Sequence, residues 1–192
     1  MEAKANIIRK YAEAKPESKV DIICKYYPQI DGIINARIAG MKYIIWEEIE
    51  KNRRADHGDL GVRVQSGNGY SDPTGKEGCF RADLENAIRS CNFSEDILDG
   101  LEPPEKIIKE ARILKEMKEI QNLYDLQIAC LMEEERVLFK KYLNKEMNLT
   151  DIASSCGIEY ASAVKKIAKI RDYVKQEVTE VLEVASCQND TN

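Results

Sequence analysis

Along residues 107–131 an apolar side chain returns every three or four positions: Ile107, Ala111, Leu114, Met117, Ile120, Tyr124, Ile128 and Leu131. An α-helix turns once per 3.6 residues, so this spacing gathers the apolar groups into one stripe and leaves the charged ones on the other face. A strand needs alternation at period two, which this segment lacks. The stripe therefore predicts a long helix from Glu105, directly after Pro103-Pro104. A helix with one apolar face must bury it against something, and the rest of the chain also reads as helices.

Residues 2–15 form a short predicted helix that ends before Pro16. Val20, Ile23, Cys24 and Tyr27 share one face of a second, over 17–27, which Pro28 interrupts. From Pro28 to about Asn52 the apolar set is Ile30, Ile33, Ile34, Ile38, Met41, Ile44, Ile45, Trp46 and Ile49, dense enough to predict a buried helix. Gly32 and Gly40 weaken it but are expected to permit close packing. Residues 52–71 hold four glycines and read as a loop. Asp72 then serves as N-cap and Pro73 as the first residue of a helix through Phe80, Leu84, Ala87 and Ile88 to about Cys91. A loop follows over 92–103. The expected fold class is all-α: an N-terminal helical region over 1–100 carrying the 52–71 loop, a connector helix over 101–132, a C-terminal helix-turn-helix domain over 133–186, and a tail over 187–192.

Composition narrows the function. The chain has 192 residues and a formal net charge of −5, which excludes a uniformly basic nucleic-acid coat but not a local basic face. No apolar run reaches the ~18 residues of a membrane span. The start, MEAKANIIRKYAEAK, has no apolar stretch before a cleavage site, so no signal peptide and a cytoplasmic location are expected. Cys24, Cys79, Cys91, Cys130, Cys156 and Cys187 include no CxxC pair, and His57 is the lone histidine. That argues against a zinc site and against histidine catalysis, and it predicts reduced cysteines acting mostly as small core residues. No cofactor, metal or enzymatic activity is expected.

The residues that point to a function lie between 131 and 171. Thr150 is the predicted N-cap of a short helix carrying Ile152 and Ala153. Gly157 follows at a helix end, where a left-handed turn is needed. A second helix carries Val164, Ile167 and Ala168 inward. Two helices crossing at a tight glycine turn hold the second one out from the body, where it can enter a major groove. Its outward face carries Tyr160, Ser162, Lys165, Lys166 and Lys169, with Arg171 close behind. Lysines neutralise phosphates, while tyrosine and serine touch phosphates or base edges. Lys140, Lys141 and Lys145, upstream, are further candidates for backbone phosphate. From Leu138 to Lys175 there are eight Lys or Arg against four Asp or Glu, so this segment is +4 in a chain of −5.

Glu135-Arg136-Val137-Leu138 through Tyr142-Leu143, then Leu149-Thr150-Asp151-Ile152-Ala153 and Cys156-Gly157-Ile158, resemble the promoter-recognition domain of sigma factors over about 40 residues. Asp151 stands where that family usually has glutamate. The family's apolar anchor falls six residues after the glycine, at Ala163 here, with Val164 one later. Either the turn is one residue longer or alanine packs there. Upstream, VQSGNGYSDPTGKE over 64–77 resembles the Ser/Gly-rich segment of phage late-gene activators of the RinA and ArpU type. These place it before a helix, a connector and a C-terminal sigma-like helix-turn-helix. The resemblance implies a phage or prophage regulator that binds double-stranded DNA, acts at late promoters with RNA polymerase, and has no enzymatic activity.

Other patterns carry less. Gly69 to Lys76 lacks both the spacing and the hydroxyl of a phosphate-binding loop. Asp56, His57 and Asp59 read as a solvated loop, with Arg53 and Arg54 before them. Val164, Ile167, Arg171, Val174, Val178, Val181 and Ala185 make a heptad seam. It fits a helix packing back on the body, or a homodimer, the arrangement that many helix-turn-helix proteins use. Two rival functions remain: a small-terminase-like packaging protein, and a phage protein that binds and inhibits a host machine.

Overall fold

The computed structural model describes residues 4–56, 73–94, 97, 101 and 103–189. Its elements are α1 (Lys4–Ala12), α2 (Pro16–Tyr26), a 3-10 turn (Tyr27–Gln29), α3 (Ile30–Asp56), α4 (Pro73–Ser90), α5 (Pro104–Ala129), α6 (Glu133–Leu143), α7 (Leu149–Cys156) and α8 (Tyr160–Asn189). There is no strand among the described residues, and the protein is all-α. Pro16, Pro73 and Pro104 each open a helix, where the missing N–H costs nothing and the fixed φ suits the first turn. Pro28 sits in the 3-10 turn between α2 and α3. Asp72 and most of the 52–71 segment lie outside the described residues, but Asn52 to Asp56 are helical, so α3 runs beyond its expected end.

Two compact units divide the chain. The first comprises residues 1–34 and 116–192, the second residues 35–115. This division crosses the linear segments drawn from sequence: the chain leaves the first unit within α3 and returns within α5.

In the first unit, Tyr11, Val20, Ile23, Ile30 and Ile33 are buried with Met117, Ile120, Tyr124 and Ile128 of α5. Lys19 pairs with Glu116 at 2.5 Å, Lys118 with Asp31 at 2.6 Å, and the Tyr27 hydroxyl donates to Asp125. Burial pushes the hydroxyls of Tyr11 and Tyr124 far above their ordinary range, so both stay protonated.

In the second unit, Ile38, Met41 and Ile45 of α3 are buried with Leu84, Ala87 and Ile88 of α4, Ala111 and Leu114 of α5, and Ile97 and Leu101 between them. Trp46 meets Phe80 at 6.1 Å between ring centroids, and the Arg81 guanidinium lies 4.7 Å from the Trp46 ring centre. Glu110 is gripped by both arms of Arg37. Lys42 hydrogen-bonds Glu85 at 2.6 Å and, with Arg89, holds that carboxyl below its usual range.

Three expectations fail here for physical reasons. The density of isoleucine in α3 does not make it fully buried, because Tyr43 and Ile44 face solvent and only one stripe is covered. Its glycines permit no close approach: a Cβ added at Gly32 or Gly40 would meet nothing within 4 Å. The five cysteines with described side chains are free thiols but are not core residues. Cys79, Cys130 and Cys156 are exposed, and Cys24 and Cys91 only half-buried; Cys91 and Cys130 fall just past the ends of α4 and α5, and Cys156 is the last residue of α7. Cys187 has no described side chain.

Because Gly40 lies inside a helix with open space at its Cβ, Gly40→Ala should stabilise the protein by about 0.5–1 kcal/mol. Urea denaturation monitored by circular dichroism measures this. An unchanged or lower midpoint would contradict the open placement.

Candidate nucleic-acid interface

α6, α7 and α8 follow one another in the first unit and pack together. α6 opens with Glu133, Glu134 and Glu135 and closes with Lys140 and Lys141, matching the helix dipole at both ends. Phe139 and Leu143 are its buried residues. Arg136 pairs with Glu133 on its own helix.

The cap of α7 is Asn148, two residues before the expected Thr150. The Asn148 carboxamide oxygen accepts from the N–H groups of Thr150 and Asp151 at 2.8 and 3.0 Å. Asp151 Oδ2 in turn accepts from the Asn148 N–H at 2.9 Å. This reciprocal box gives Asp151 a job that its carboxylate can do from the third helical position, in place of the longer glutamate.

Gly157 ends α7 at φ 61°, ψ 34°. Its N–H reaches Ser154 O at 3.3 Å, and the Ile158 N–H reaches Ala153 O at 3.0 Å. This paired pattern is the Schellman turn, which requires the left-handed conformation at the residue Gly157 occupies.

α8 then buries Ala163, Ile167, Ile170, Val174 and Val178 along one stripe. The register question is thereby answered. Alanine packs six residues after the glycine, while Val164 is 37% exposed and Ala168 only half-buried. The expectation that Val164 and Ala168 point inward fails because the small Ala163 occupies the crossing instead.

This register sorts the candidate residues. Ser162, Lys165 and Lys169 are exposed and lie together on a stripe away from the buried one. Lys166 is half-buried on the near flank of that stripe. Tyr160 is exposed at the first position of α8. Arg171 sits on the opposite flank and donates to the adjacent Asp172 at 3.1 and 3.0 Å. Lys140 and Lys141 are exposed near the end of α6. Lys145 and Arg171 are set back together in a cleft with α2, apart from Ser162 and Lys165.

The sequence predicts α2 as a helix but does not place it beside α8. Lys175 of α8 pairs with Glu17 at 3.0 Å and Asp21 at 2.9 Å, and these bonds raise its pKa. Burial also raises the Cys24 thiol, which lies beside the buried Tyr124 hydroxyl, so Cys24 is no activated nucleophile. Nothing in the sequence marks this pairing, because partners more than 150 positions apart leave no local pattern. Among the described residues no acidic, histidine or cysteine cluster would hold a metal ion, and no helix is long and apolar enough to cross a membrane. His57, Asp59 and the side chains of Arg53, Arg54 and Asp56 lie outside the described residues.

No family model, curated protein or solved structure matches this chain.

The crossing makes two tests. Gly157→Ala places a Cβ at positive φ and should cost about 1 kcal/mol of stability. Ala163→Leu overfills a fully buried position and should cost about 1–3 kcal/mol. Chemical denaturation reads both. A neutral Ala163→Leu would mean that Val164 is the true anchor.

Proposed function

We propose that this chain is a sequence-specific DNA-binding transcription regulator of phage or prophage type, acting at phage promoters together with RNA polymerase. The observation that supports it best is the hairpin of α7 and α8. A capping box, a left-handed glycine and a buried alanine fix its angle, and Ser162, Lys165 and Lys169 form the free face of its second helix. A helix so held can lie in a major groove with that face toward the bases.

In this reading the face of Ser162, Lys165 and Lys169 lies along the groove: Ser162 meets base edges, Lys165 and Lys169 neutralise phosphates beside it, and Tyr160 is at the leading end. Lys166, Lys140 and Lys141 meet phosphates at its edge. Lys145 and Arg171 contribute through the positive field of the domain. Specificity comes from base edges, while the lysines supply the salt-dependent part of affinity. Homodimerisation would use the distal part of α8, where Val181 and Val184 are exposed. The reading calls for no cofactor and assigns no catalysis.

The test is recovery of source-genome fragments on the purified full-length protein at two salt concentrations. One short enriched site near a promoter, weakened by salt, is the expected result. Retention of no fragment at low salt would overturn the reading, and enrichment of a packaging region would transfer it to a terminase-like role. Replacing Lys165 and Lys169 together with alanine should weaken binding and lower the slope of log affinity against log salt by about 2. An unchanged slope would remove this face from the interface.

A further inference from the structure

Between α2, the α6–α7 turn and the middle of α8 lies a cleft of about 640 Å³, all within the first unit. That volume falls inside the range of small-molecule sites. Four cations line it, Lys25, Lys145, Arg171 and Lys175, against two carboxylates, Asp21 and Asp172. Glu17, which also holds Lys175, brings the balance to four cations against three carboxylates, a surplus that favours an anion. Tyr142, Leu143 and Met147 supply apolar wall.

The cations are not equally committed. Lys175 is held by Glu17 and Asp21, and Arg171 by Asp172. Lys145 is exposed, and its backbone has a telling conformation: φ is +62°. The Lys145 N–H bonds Tyr142 O at 3.0 Å and the Glu146 N–H bonds Lys141 O at 2.9 Å. This is the same helix-ending turn that Gly157 makes, with lysine in the place where glycine is less costly by about 1 kcal/mol. The chain thus keeps a strained residue whose charged side chain lines the cleft. Strained residues cluster at functional sites, and this one carries its cation to the wall of the cavity.

We propose that this cleft binds a phosphorylated small molecule of mononucleotide size, with Lys145, Lys25 and Arg171 around the phosphate and Tyr142, Leu143 and Met147 against its organic body. The ligand would touch the turn before α7, α8 and α2 at once. The site stands independently of the DNA-binding reading, and neither falls with the other.

Lys145→Gly separates fold from function, because it relieves the strained turn while removing the cation. The experiment is calorimetric titration of the full-length protein with AMP, GMP, CMP and UMP, with adenosine as the phosphate-free control. The expected result is saturable one-site binding of at least one mononucleotide but not of adenosine. Lys145→Gly and Arg171→Gln should each weaken that binding about ten-fold or more, with the unfolding midpoint of Lys145→Gly equal to wild type or higher. If Lys145→Gly loses stability, Arg171→Gln alone decides. The proposal is overturned if no mononucleotide saturates the protein, if adenosine binds as tightly, or if the deciding variants bind like wild type. It is equally overturned if mononucleotides fail to bind while Lys145→Gly weakens DNA retention, since the phosphate would then be that of the DNA backbone.

Discussion

The stripe of Ala163, Ile167, Ile170, Val174 and Val178 carries the first unit. A helix is stiff, so burying one line of side chains fixes the direction of every other residue on it. Full burial of a valine or isoleucine contributes about 1.5–3 kcal/mol. An exposed ion pair such as Lys175 with Asp21 contributes at most about 1 kcal/mol. The stripe therefore sets the azimuth of α8, and the ion pairs to α2 adjust it. Ser162, Lys165 and Lys169 are outward because of what is buried one turn away. The direction of this face is thus a consequence of core packing, and a change at Ala163 would turn it without altering any of its residues.

The ends of the helices follow one device used three times. α4, α6 and α7 each end in the same pair of backbone hydrogen bonds around a left-handed residue: Cys91 at φ 53°, Lys145 at φ 62° and Gly157 at φ 61°. Only the third is glycine. The turn satisfies carbonyls that would otherwise lack partners, and that gain outweighs a cost of about 1 kcal/mol for a side chain at positive φ. Cys91 also places its thiol 3.6 Å from the Ile108 carbonyl, so its side chain has local company. Lys145 has a charged side chain in a cleft, which makes its strain harder to explain as a matter of packing.

These contrasts show what was legible from sequence. Helices were, because apolar spacing of three and four is a direct image of a helix face, as in Ala111, Leu114, Met117, Ile120, Tyr124 and Ile128, all buried. The glycine turn at Gly157 was legible because glycine advertises positive φ. The turns at Cys91 and Lys145 were not, because neither residue does. The anchor of α8 was ambiguous because alanine is read as apolar or neutral according to context, and the apolar Val164 stands next to it. The cap at Asn148 differs from the expected Thr150 because both residue types cap well, and only the backbone geometry distinguishes them. The pairing of α2 with α8 had no sequence signal at all, and with it went the cleft.

The heptad seam along α8 shows the same limit from the other side. Its positions at Ile167, Val174 and Val178 are buried within the chain, whereas Val164, Arg171, Val181 and Ala185 are exposed. A knob needs a facing helix, and the repeat is indifferent to whether that helix belongs to the same molecule or to another. Here the protein's own helices take the middle of the seam, with α2 among them. What is left for a second copy is the distal end, where Val181 and Val184 lie beyond the buried stripe. A dimer built there would join the molecules far along α8 from Ser162 and Lys165, and would leave that face of each copy uncovered.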